Sequence, residues 1–164
     1  DFIHLVDSLP KNAQVFTYPL SRAKETFKAS VKAGYKYDVY FEDPRLKEQN
    51  IGEYAGMKYA ELYKLTKRIG VNSSYWLMEE THTPPKGESF IQLNDRVTEF
   101  LNEKILNFNQ GNIVLFSHGG PIRSAINIAL NNKNVRVGPF KIDNLKVTKI
   151  SYSKKYWHID FINA

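Results

Sequence analysis

The sequence predicts a three-layer α/β/α domain, in which helices cover both faces of a mostly parallel sheet that has an antiparallel edge. Short β-type runs alternate with helical stretches along the chain, which is the order that produces a parallel sheet. The run Ile113–Phe116 is apolar at every position, as in a strand buried on both faces. The chain has 164 residues and shows neither an internal repeat nor a linker, so we expect a single domain over residues 1–164.

The charge balance and the absence of cysteine narrow the class of protein. Lys and Arg number 23 against 17 Asp and Glu, a net charge of +6 that favours anionic partners such as nucleic acid, acidic lipid or a phosphorylated or carboxylated small molecule. With no cysteine, a disulfide scaffold, a cysteine-based zinc site and a cysteine nucleophile are excluded. No apolar run reaches the roughly 18 residues of a membrane span, and we expect a cytoplasmic protein without membrane contact.

The N-terminal part of the chain predicts two helices and two strands in alternation. Apolar residues among the first nine positions repeat at the i, i+3, i+4, i+7 spacing of one helical face. A proline in the first turn and a glycine just past the last turn frame the second helix, and aromatic and β-branched residues mark the second strand. The predicted elements are a helix over Asp1–Leu9, a strand over Val15–Tyr18, a helix from Pro19 to Ala33 and a strand over Tyr37–Phe41.

The remainder of the chain continues the alternation and closes in an antiparallel hairpin. Ser89 and Gln92 form a capping-box pair at the head of the longest helix. Ser153, Lys154 and Lys155 supply the turn of the hairpin. The predicted elements are an ordered loop over Arg45–Gly56, a helix over Met57–Ile69, an irregular segment over Ser73–Gly87, a helix from Ser89 to about Phe108, a strand over Ile113–Phe116, a helix over Ile122–Leu130, and strands over Leu145–Tyr152 and Tyr156–Ile162.

His118 stands where the buried strand runs into a glycine pair and the start of a helix. In open α/β sheets, ligands bind at the carboxyl ends of the strands. The free N–H groups of a helix N-terminus attract anions, and an imidazole there can donate to an oxyanion or carry a proton. The alternative is a histidine that only caps the turn. We expect His118 to be functional because strand, glycines and helix meet there.

Arg22 repeats this architecture after the first strand, since it lies in the first turns of the following helix. A guanidinium is well shaped to hold a phosphate or carboxylate in a bidentate way, and strands ending at one sheet edge would bring Arg22 close to His118. Glu48 lies in the loop before Gly52 and is a candidate general acid, because burial near an anion site raises the pKa of a carboxyl group. The alternatives are an exposed surface arginine and a solvated loop carboxylate.

Motifs for metal, nucleotide or nucleic-acid binding are absent or weak in the sequence. The four histidines show no metal-ligand spacing, so we expect no zinc site. Neither a phosphate-loop lysine motif nor a G-x-G-x-x-G motif occurs. Aromatic residues beside Lys154 and Lys155 are compatible with stacking on nucleic acid, but cross-strand packing is the commoner role of aromatics in a hairpin.

Four blocks, in order, resemble motifs of the histidine phosphatase superfamily, whose fold is phosphoglycerate mutase-like. Tyr18–Thr26 is similar to the block S-P-L-x-R-A-x-x-T, and Asp43–Glu48 with Gly52 and Gly56 is similar to the R-L-x-E loop that two glycines follow. Gly87–Ser89 resembles the G-E-S sequence that precedes a long helix, and Phe116–Gly120 resembles the block of the second histidine.

The resemblance implies a role for each matching residue. Arg22 and His118 would bind the transferred phosphoryl group, and Ser21 and Gly119 would complete the phosphate-binding set. Glu48 would give a proton to the leaving alcohol. The family uses neither a metal nor another cofactor, because cationic and N–H donors stabilise the phosphoryl oxygens. A histidine is the nucleophile, and water cleaves the phosphohistidine that it forms.

In the family, the nucleophilic histidine belongs to an R-H-G block on the first strand, and this sequence contains no such block. We therefore expect that block upstream of residue 1, and a domain that lacks its first strand over residues 1–164. The complete protein is expected to be active, and the present chain inactive. The runs His118–Arg123 and Phe140–Leu145 resemble the alpha-ribazole phosphatase-like branch.

The leading interpretation is a phosphomonoester hydrolase that acts on a small phosphorylated metabolite, with alpha-ribazole 5′-phosphate as the candidate substrate. One alternative is phosphoryl transfer of the phosphoglycerate mutase type. Another is a non-catalytic module that binds a phosphorylated ligand or nucleic acid, if the chain begins at Asp1. For the leading interpretation we expect neither nucleic acid nor membrane as partner, and a homodimer stays open.

Overall fold

The computed structural model describes residues 2–19, 22–71, 80–107, 110–131 and 140–164. Helices and strands alternate in these ranges as the sequence predicts. The helices are α1 (Phe2–Ser8), α2 (Arg22–Lys32), α3 (Tyr59–Arg68), α4 (Phe90–Asn107) and α5 (Gly119–Ala129). The strands are β1 (Gln14–Thr17), β2 (Val39–Glu42), β3 (Ile113–Phe116), β4 (Lys149–Ser153) and β5 (Tyr156–Phe161).

Three strands form a parallel sheet in the order β2-β1-β3. Gln14 lies opposite both Val39 and Ile113, and the pairing continues in step to the ends of the strands. Because all three strands run the same way, their carboxyl ends meet at one edge of the sheet. The chain segments that carry Arg22, Asp43 and His118 follow from that edge.

The side chains of β1 alternate between two apolar clusters, one on each face of the sheet. Val15 packs with residues from the α1–α2 side, and Phe16 packs with residues from α4. The first cluster contains Ala13, Val15, Ala23, Phe27, Tyr35, Val114 and Phe116. The second contains Phe16, Leu46, Phe90, Leu93, Val97, Phe100 and Leu101. Helices therefore cover both faces, which confirms the predicted three-layer α/β architecture.

The antiparallel pair β4–β5 forms a second sheet that packs against α5. Ile150 and Trp157 contact the cluster on the α4 side of the parallel sheet. The strand predicted over Leu145–Tyr152 begins only at Lys149, because a turn with Leu145 in the left-handed region (φ 57°) precedes it. In the described ranges, no strand pairing joins this pair to the parallel sheet, so the predicted antiparallel strands form a two-stranded sheet of their own.

Several boundaries differ from the sequence predictions by a few residues. Among the described residues, the second helix runs from Arg22 and the predicted first residue, Pro19, lies in a turn; α5 begins at Gly119, three residues before the predicted Ile122. The loop predicted over residues 45–56 contains two single turns of 3₁₀-helix, Pro44–Leu46 and Gly52–Tyr54. Of the helices in the described ranges, none combines the length and apolar character needed to cross a bilayer.

The capping box predicted at the head of α4 is present. The backbone N–H of Ser89 donates to Oε1 of Gln92 at 2.8 Å, and the backbone N–H of Gln92 donates to Oγ of Ser89 at 3.2 Å. These bonds satisfy donors that the first turn of a helix leaves unpaired. Of the segment predicted to be irregular, residues 80–87 are described, and they contain neither helix nor strand.

Candidate active site

His118 lies in the two-residue connection between β3 and α5. Its backbone is extended (φ −125°, ψ 170°), and its carbonyl oxygen accepts the N–H of Ile122 at 3.1 Å, which starts the helix. Its side chain makes no capping hydrogen bond. The imidazole is half-buried and is therefore available for a role other than the turn cap considered as its alternative.

The carboxylate of Glu48 is held at the N-terminus of the same helix. Its Oε1 accepts the backbone N–H of Gly120 at 3.0 Å and that of Gln49 at 2.8 Å. A Cβ atom on Gly120 would overlap Oε1, so only glycine lets the carboxylate approach the helix this closely. Glu48 as a whole is exposed, so the burial that the sequence argument expects for this residue is not found. The positive end of the helix dipole stabilises the negative charge there.

Arg22 lies at the carboxyl end of β1, as the first residue of α2, and is exposed. Burial lowers the pKa of His118 below its usual range, while the carboxylate of Glu48 opposes this shift and the guanidinium of Arg22 adds to it. Glu48 is held two residues from His118 by its bond to Gly120, and Arg22 follows the neighbouring strand and acts electrostatically on the same imidazole, so all three residues belong to one edge of the sheet. This is the proximity that the order of strands and helices predicts.

The turn that carries Glu48 is fixed by hydrogen bonds from two other elements. Oγ of Ser117 donates to the carbonyl oxygen of Leu46 at 3.1 Å. Arg96 of α4 donates through Nη1 to the carbonyl of Arg45 at 2.5 Å and through Nη2 to that of Glu48 at 3.3 Å. These bonds connect the turn both to the end of β3 and to the long helix, which positions the Glu48 carboxylate without contacting it.

Glu88 completes this support, since it binds the same arginine. Its two carboxylate oxygens accept Nε of Arg96 at 3.1 Å and Nη2 at 2.7 Å, and one of them accepts the N–H of Asn50 at 2.9 Å. Burial favours a higher pKa for Glu88, but the hydrogen bonds from Arg96 and Asn50 outweigh it and the pKa is lowered. Glu88 therefore helps to hold the turn of Glu48 in place through Arg96.

Arg45, which lies in the block that includes Glu48, is occupied elsewhere. Its guanidinium donates to both oxygens of Asp43, at 2.9 and 2.6 Å, forms an ion pair with Glu103 at 2.8 Å and lies over the ring of Phe100. Burial favours a higher pKa for Asp43, but the N–H groups of Arg45 outweigh it and the pKa is lowered. Arg45 is thus committed to the packing of α4 and not to a ligand.

The two remaining residues predicted for the site have different outcomes. Ser21 lies outside the described residues. Gly119 is the first residue of α5, and a Cβ atom there would lie 2.7 Å from Nη1 of Arg123 and 3.9 Å from Oε2 of Glu48. Among the described residues, no group of three His, Asp or Glu side chains is placed to hold a metal ion.

Sequence reasoning missed Arg96 and Arg123. The signal for Arg123 was its position four residues after Gly119, since residues four apart lie on one face of a helix. No local signal predicted the bonds from Arg96 to the turn of Glu48, because the two carbonyl groups that it binds lie 51 and 48 residues earlier in the chain.

Comparisons with known proteins identify relatives by sequence. A bifunctional protein of Mycobacterium tuberculosis is 29% identical over 119 residues, which are 73% of this chain and 31% of that protein. A metal-independent phosphoserine phosphatase of Arabidopsis thaliana is 27% identical over 147 residues, 89% of this chain and 59% of that protein. The chain thus spans well under two thirds of the length of these relatives.

Solved structures share the fold at lower identity. Mycobacterial glucosyl-3-phosphoglycerate phosphatase in complex with inorganic phosphate is 20% identical with a TM-score of 0.80, over 99% of this chain and 83% of that one. The alpha-ribazole phosphatase of Shigella flexneri is 21% identical with a TM-score of 0.75, over 99% of this chain and 78% of that one. The model of the histidine phosphatase superfamily (branch 1) matches residues 5–164. The four sequence blocks, the fold and this match together show that the chain belongs to the histidine phosphatase superfamily.

Proposed function

We propose that the complete protein hydrolyses phosphomonoesters of small metabolites through a phosphohistidine, without a metal or other cofactor. The observation that carries this proposal is the cluster of Arg22, Glu48 and His118 where the parallel strands end. A guanidinium, an imidazole and the N-terminus of α5 supply donors for phosphoryl oxygens, and a carboxylate stands beside them.

Each of the three side chains has one task in the proposed reaction. Arg22 and His118 donate hydrogen bonds to the phosphoryl oxygens and stabilise the charge that develops on them. Glu48, in its protonated form, donates a proton to the oxygen of the leaving alcohol as the P–O bond breaks. In the second half of the reaction its carboxylate takes a proton from the water that attacks phosphorus.

The nucleophile is a histidine that we expect in a segment upstream of residue 1. Its ring nitrogen forms a bond to phosphorus while the alcohol leaves, and water then breaks that bond and releases inorganic phosphate. The other three histidines of the sequence belong to different elements. His4 lies in α1, His82 forms a hydrogen bond with the hydroxyl of Tyr54, and His158 lies in β5 beside Ser153.

The proposed substrate is a small phosphorylated metabolite in the cytoplasm, and alpha-ribazole 5′-phosphate is the specific candidate. The resemblance of His118–Arg123 and Phe140–Leu145 to that branch supports the candidate, as does the structural similarity to the Shigella alpha-ribazole phosphatase. The names of the other similar proteins point to phosphoserine and to a glucosylated phosphoglycerate, so all three classes of ester belong in the test.

The test is the release of inorganic phosphate by the full-length protein, with a chelator present. The substrates are p-nitrophenyl phosphate, alpha-ribazole 5′-phosphate, phosphoserine and 3-phosphoglycerate. We expect turnover and an acid-labile phosphorylated protein in a rapid quench with ³²P-labelled ester. Isomerisation of phosphoglycerate faster than hydrolysis would replace the proposal with a mutase. Salt-dependent binding without turnover would replace it with a binding module.

A further inference from the structure

Arg123 is the one arginine of α5, and its side chain runs back toward the first turn of the helix. Long helical side chains lean toward the N-terminus, so a residue four positions along covers the first turn. Nη1 would lie 2.7 Å from a Cβ atom on Gly119, which places the guanidinium against the backbone next to His118. That Cβ atom on Gly119 would lie 3.9 Å from Oε2 of Glu48, so the side chains of Arg123 and Glu48 both lie beside Gly119.

The guanidinium is oriented but is not neutralised. Nε donates to the carbonyl oxygen of Phe140 at 3.0 Å, which fixes the plane of the group. Within the described part of the chain, neither terminal nitrogen of Arg123 has a hydrogen-bond or salt-bridge partner, and Glu48 is not paired with it. The side chain is half-buried, so its charge is less screened than that of a surface arginine.

The position of this cation is unfavourable for the helix itself. The N-terminus of a helix carries positive partial charge, so a guanidinium over the first turn opposes the dipole. Glu48 already accepts the N–H of Gly120, and its place in the proposed reaction is to release a proton to the leaving group. A negative group on the substrate would be attracted by both the guanidinium and the helix N-terminus.

We propose that Arg123 binds a carboxylate on the alcohol part of the substrate and so directs the enzyme to acidic phosphomonoesters. This inference rests on the proposed hydrolase function, and among its candidate substrates it favours phosphoserine and phosphoglycerate esters over alpha-ribazole 5′-phosphate, which has no carboxylate. Because Glu48 protonates the leaving oxygen, the alcohol part of the substrate lies beside Glu48, while the phosphoryl group faces Arg22, His118 and the N-terminus of α5. A carboxylate two or three bonds from that oxygen can meet the terminal nitrogens of Arg123 in the bidentate geometry that a guanidinium favours.

The experiment compares two esters that differ only in the proposed recognition group. 3-Phosphoglycerate carries a carboxylate where glycerol 3-phosphate carries a hydroxymethyl group. We expect full-length wild-type protein to have the higher kcat/KM for 3-phosphoglycerate. In Arg123→Gln we expect the ratio of the two kcat/KM values to fall roughly 10- to 100-fold, mainly through KM for the acidic ester. Arg123→Lys keeps the charge but not the planar fork, so part of the preference should return.

Arg68→Gln is the matched control. Arg68 is exposed at the C-terminal end of α3, so its loss removes the same charge at a different place and should leave the ratio within about two-fold. An unchanged ratio in Arg123→Gln would overturn the inference, as would equal losses on both esters, which would mean contact with the phosphoryl group or a structural role. If wild type prefers glycerol 3-phosphate or alpha-ribazole 5′-phosphate, the inference fails while the hydrolase proposal stands. If wild type releases phosphate from no ester, both fail.

Discussion

At the scale of single residues, His118 is the centre of the cluster of Arg22, Glu48 and His118, because the two charged side chains shift the pKa of its imidazole in opposite directions. Arg22 disfavours the protonated ring and Glu48 favours it, while burial favours the neutral form. A neutral imidazole still donates one N–H, so His118 can bind a phosphoryl oxygen near neutral pH without carrying a full charge. The charge for the phosphoryl group then comes from Arg22.

Replacing either donor of the phosphoryl group should therefore reduce catalysis far more than folding. We expect His118→Ala and Arg22→Ala in the full-length protein each to lower kcat/KM by about 10²–10³-fold, the usual loss when one oxyanion donor is removed. Lys28→Ala removes a charge from an exposed position of the same helix α2 and should have little effect. The measurement is steady-state phosphate release. Rates near wild type in both variants would remove these residues from the active site.

The pH titration of His118 is a second prediction at this scale. In the free protein, burial and Arg22 lower the pKa of His118, so its midpoint in a ¹H–¹³C NMR titration should lie below the usual value of about 6.5. Arg22→Ala should raise that midpoint, and saturating inorganic phosphate should raise it in wild type, because a bound dianion favours imidazolium. A midpoint that Arg22→Ala leaves unmoved would show that the two side chains do not interact.

At the scale of elements, the site depends on how the loop of Glu48 packs against the segment that precedes α4. Gly52 has a left-handed backbone (φ 51°), and a Cβ there would overlap the carbonyl of Pro85 and lie 2.6 Å from the backbone nitrogen of Gly87. The N–H of Glu53 donates to that same carbonyl at 2.9 Å. Glycine is required at position 52 for two separate reasons, conformation and close approach.

Gly56 offers a matched control for Gly52, since it is also left-handed (φ 82°) but nothing lies within 4 Å of its added Cβ. Gly56→Ala should cost about 1 kcal/mol of unfolding free energy from backbone strain alone. Gly52→Ala should cost at least ~2 kcal/mol more, because backbone atoms must also move apart. Urea unfolding of both variants, with similar m-values, is the measurement. Equal losses would mean that the two loops separate easily.

The elements also show which features local sequence can predict. The capping box of Ser89 and Gln92, the strand β3 and the position of His118 before α5 all follow from neighbouring residues, and all are present. Burial of β3 on both faces is only partial, because Ile113 and Leu115 are half-buried. The observed element boundaries differ from the predicted ones where contacts between distant parts of the chain determine them. The hydrogen bonds from Arg96 to the turn of Glu48 join α4 to a loop about 50 residues earlier, and no periodicity or motif reports a contact of that kind.

At the scale of the whole molecule, three titrating groups make the fold sensitive to acid. The native pKa values of Asp43 and Glu88 are lowered by Arg45 and Arg96, and that of His118 is lowered by burial. In each case the unfolded chain binds more protons than the native one when the pH falls, so stability decreases toward acid. The histidine acts below about pH 6.5, and the carboxylates act below about pH 4.

We therefore expect urea midpoints to decline in two stages as the pH is lowered from 8 to 3. Asp43→Asn lowers stability at pH 7, where it removes the ion pair with Arg45, and should flatten the decline below about pH 4. His118→Gln should flatten the earlier stage only. A midpoint that rises toward acid, or a decline that neither substitution changes, would contradict this account.

The pairing of β1 with both β2 and β3 also determines when the sheet can form during synthesis. The ribosome adds Val39 soon after Gln14, but it adds Ile113 only about 74 residues after Val39. At 5–20 residues per second, this takes about 4–15 s. Until then, one side of β1 has no partner, and for most of this time Phe16 also lacks the residues of α4 (Phe90–Asn107) that cover it. A nascent chain in this interval exposes an apolar strand edge, which is the kind of surface that chaperones bind and that aggregates when translation pauses.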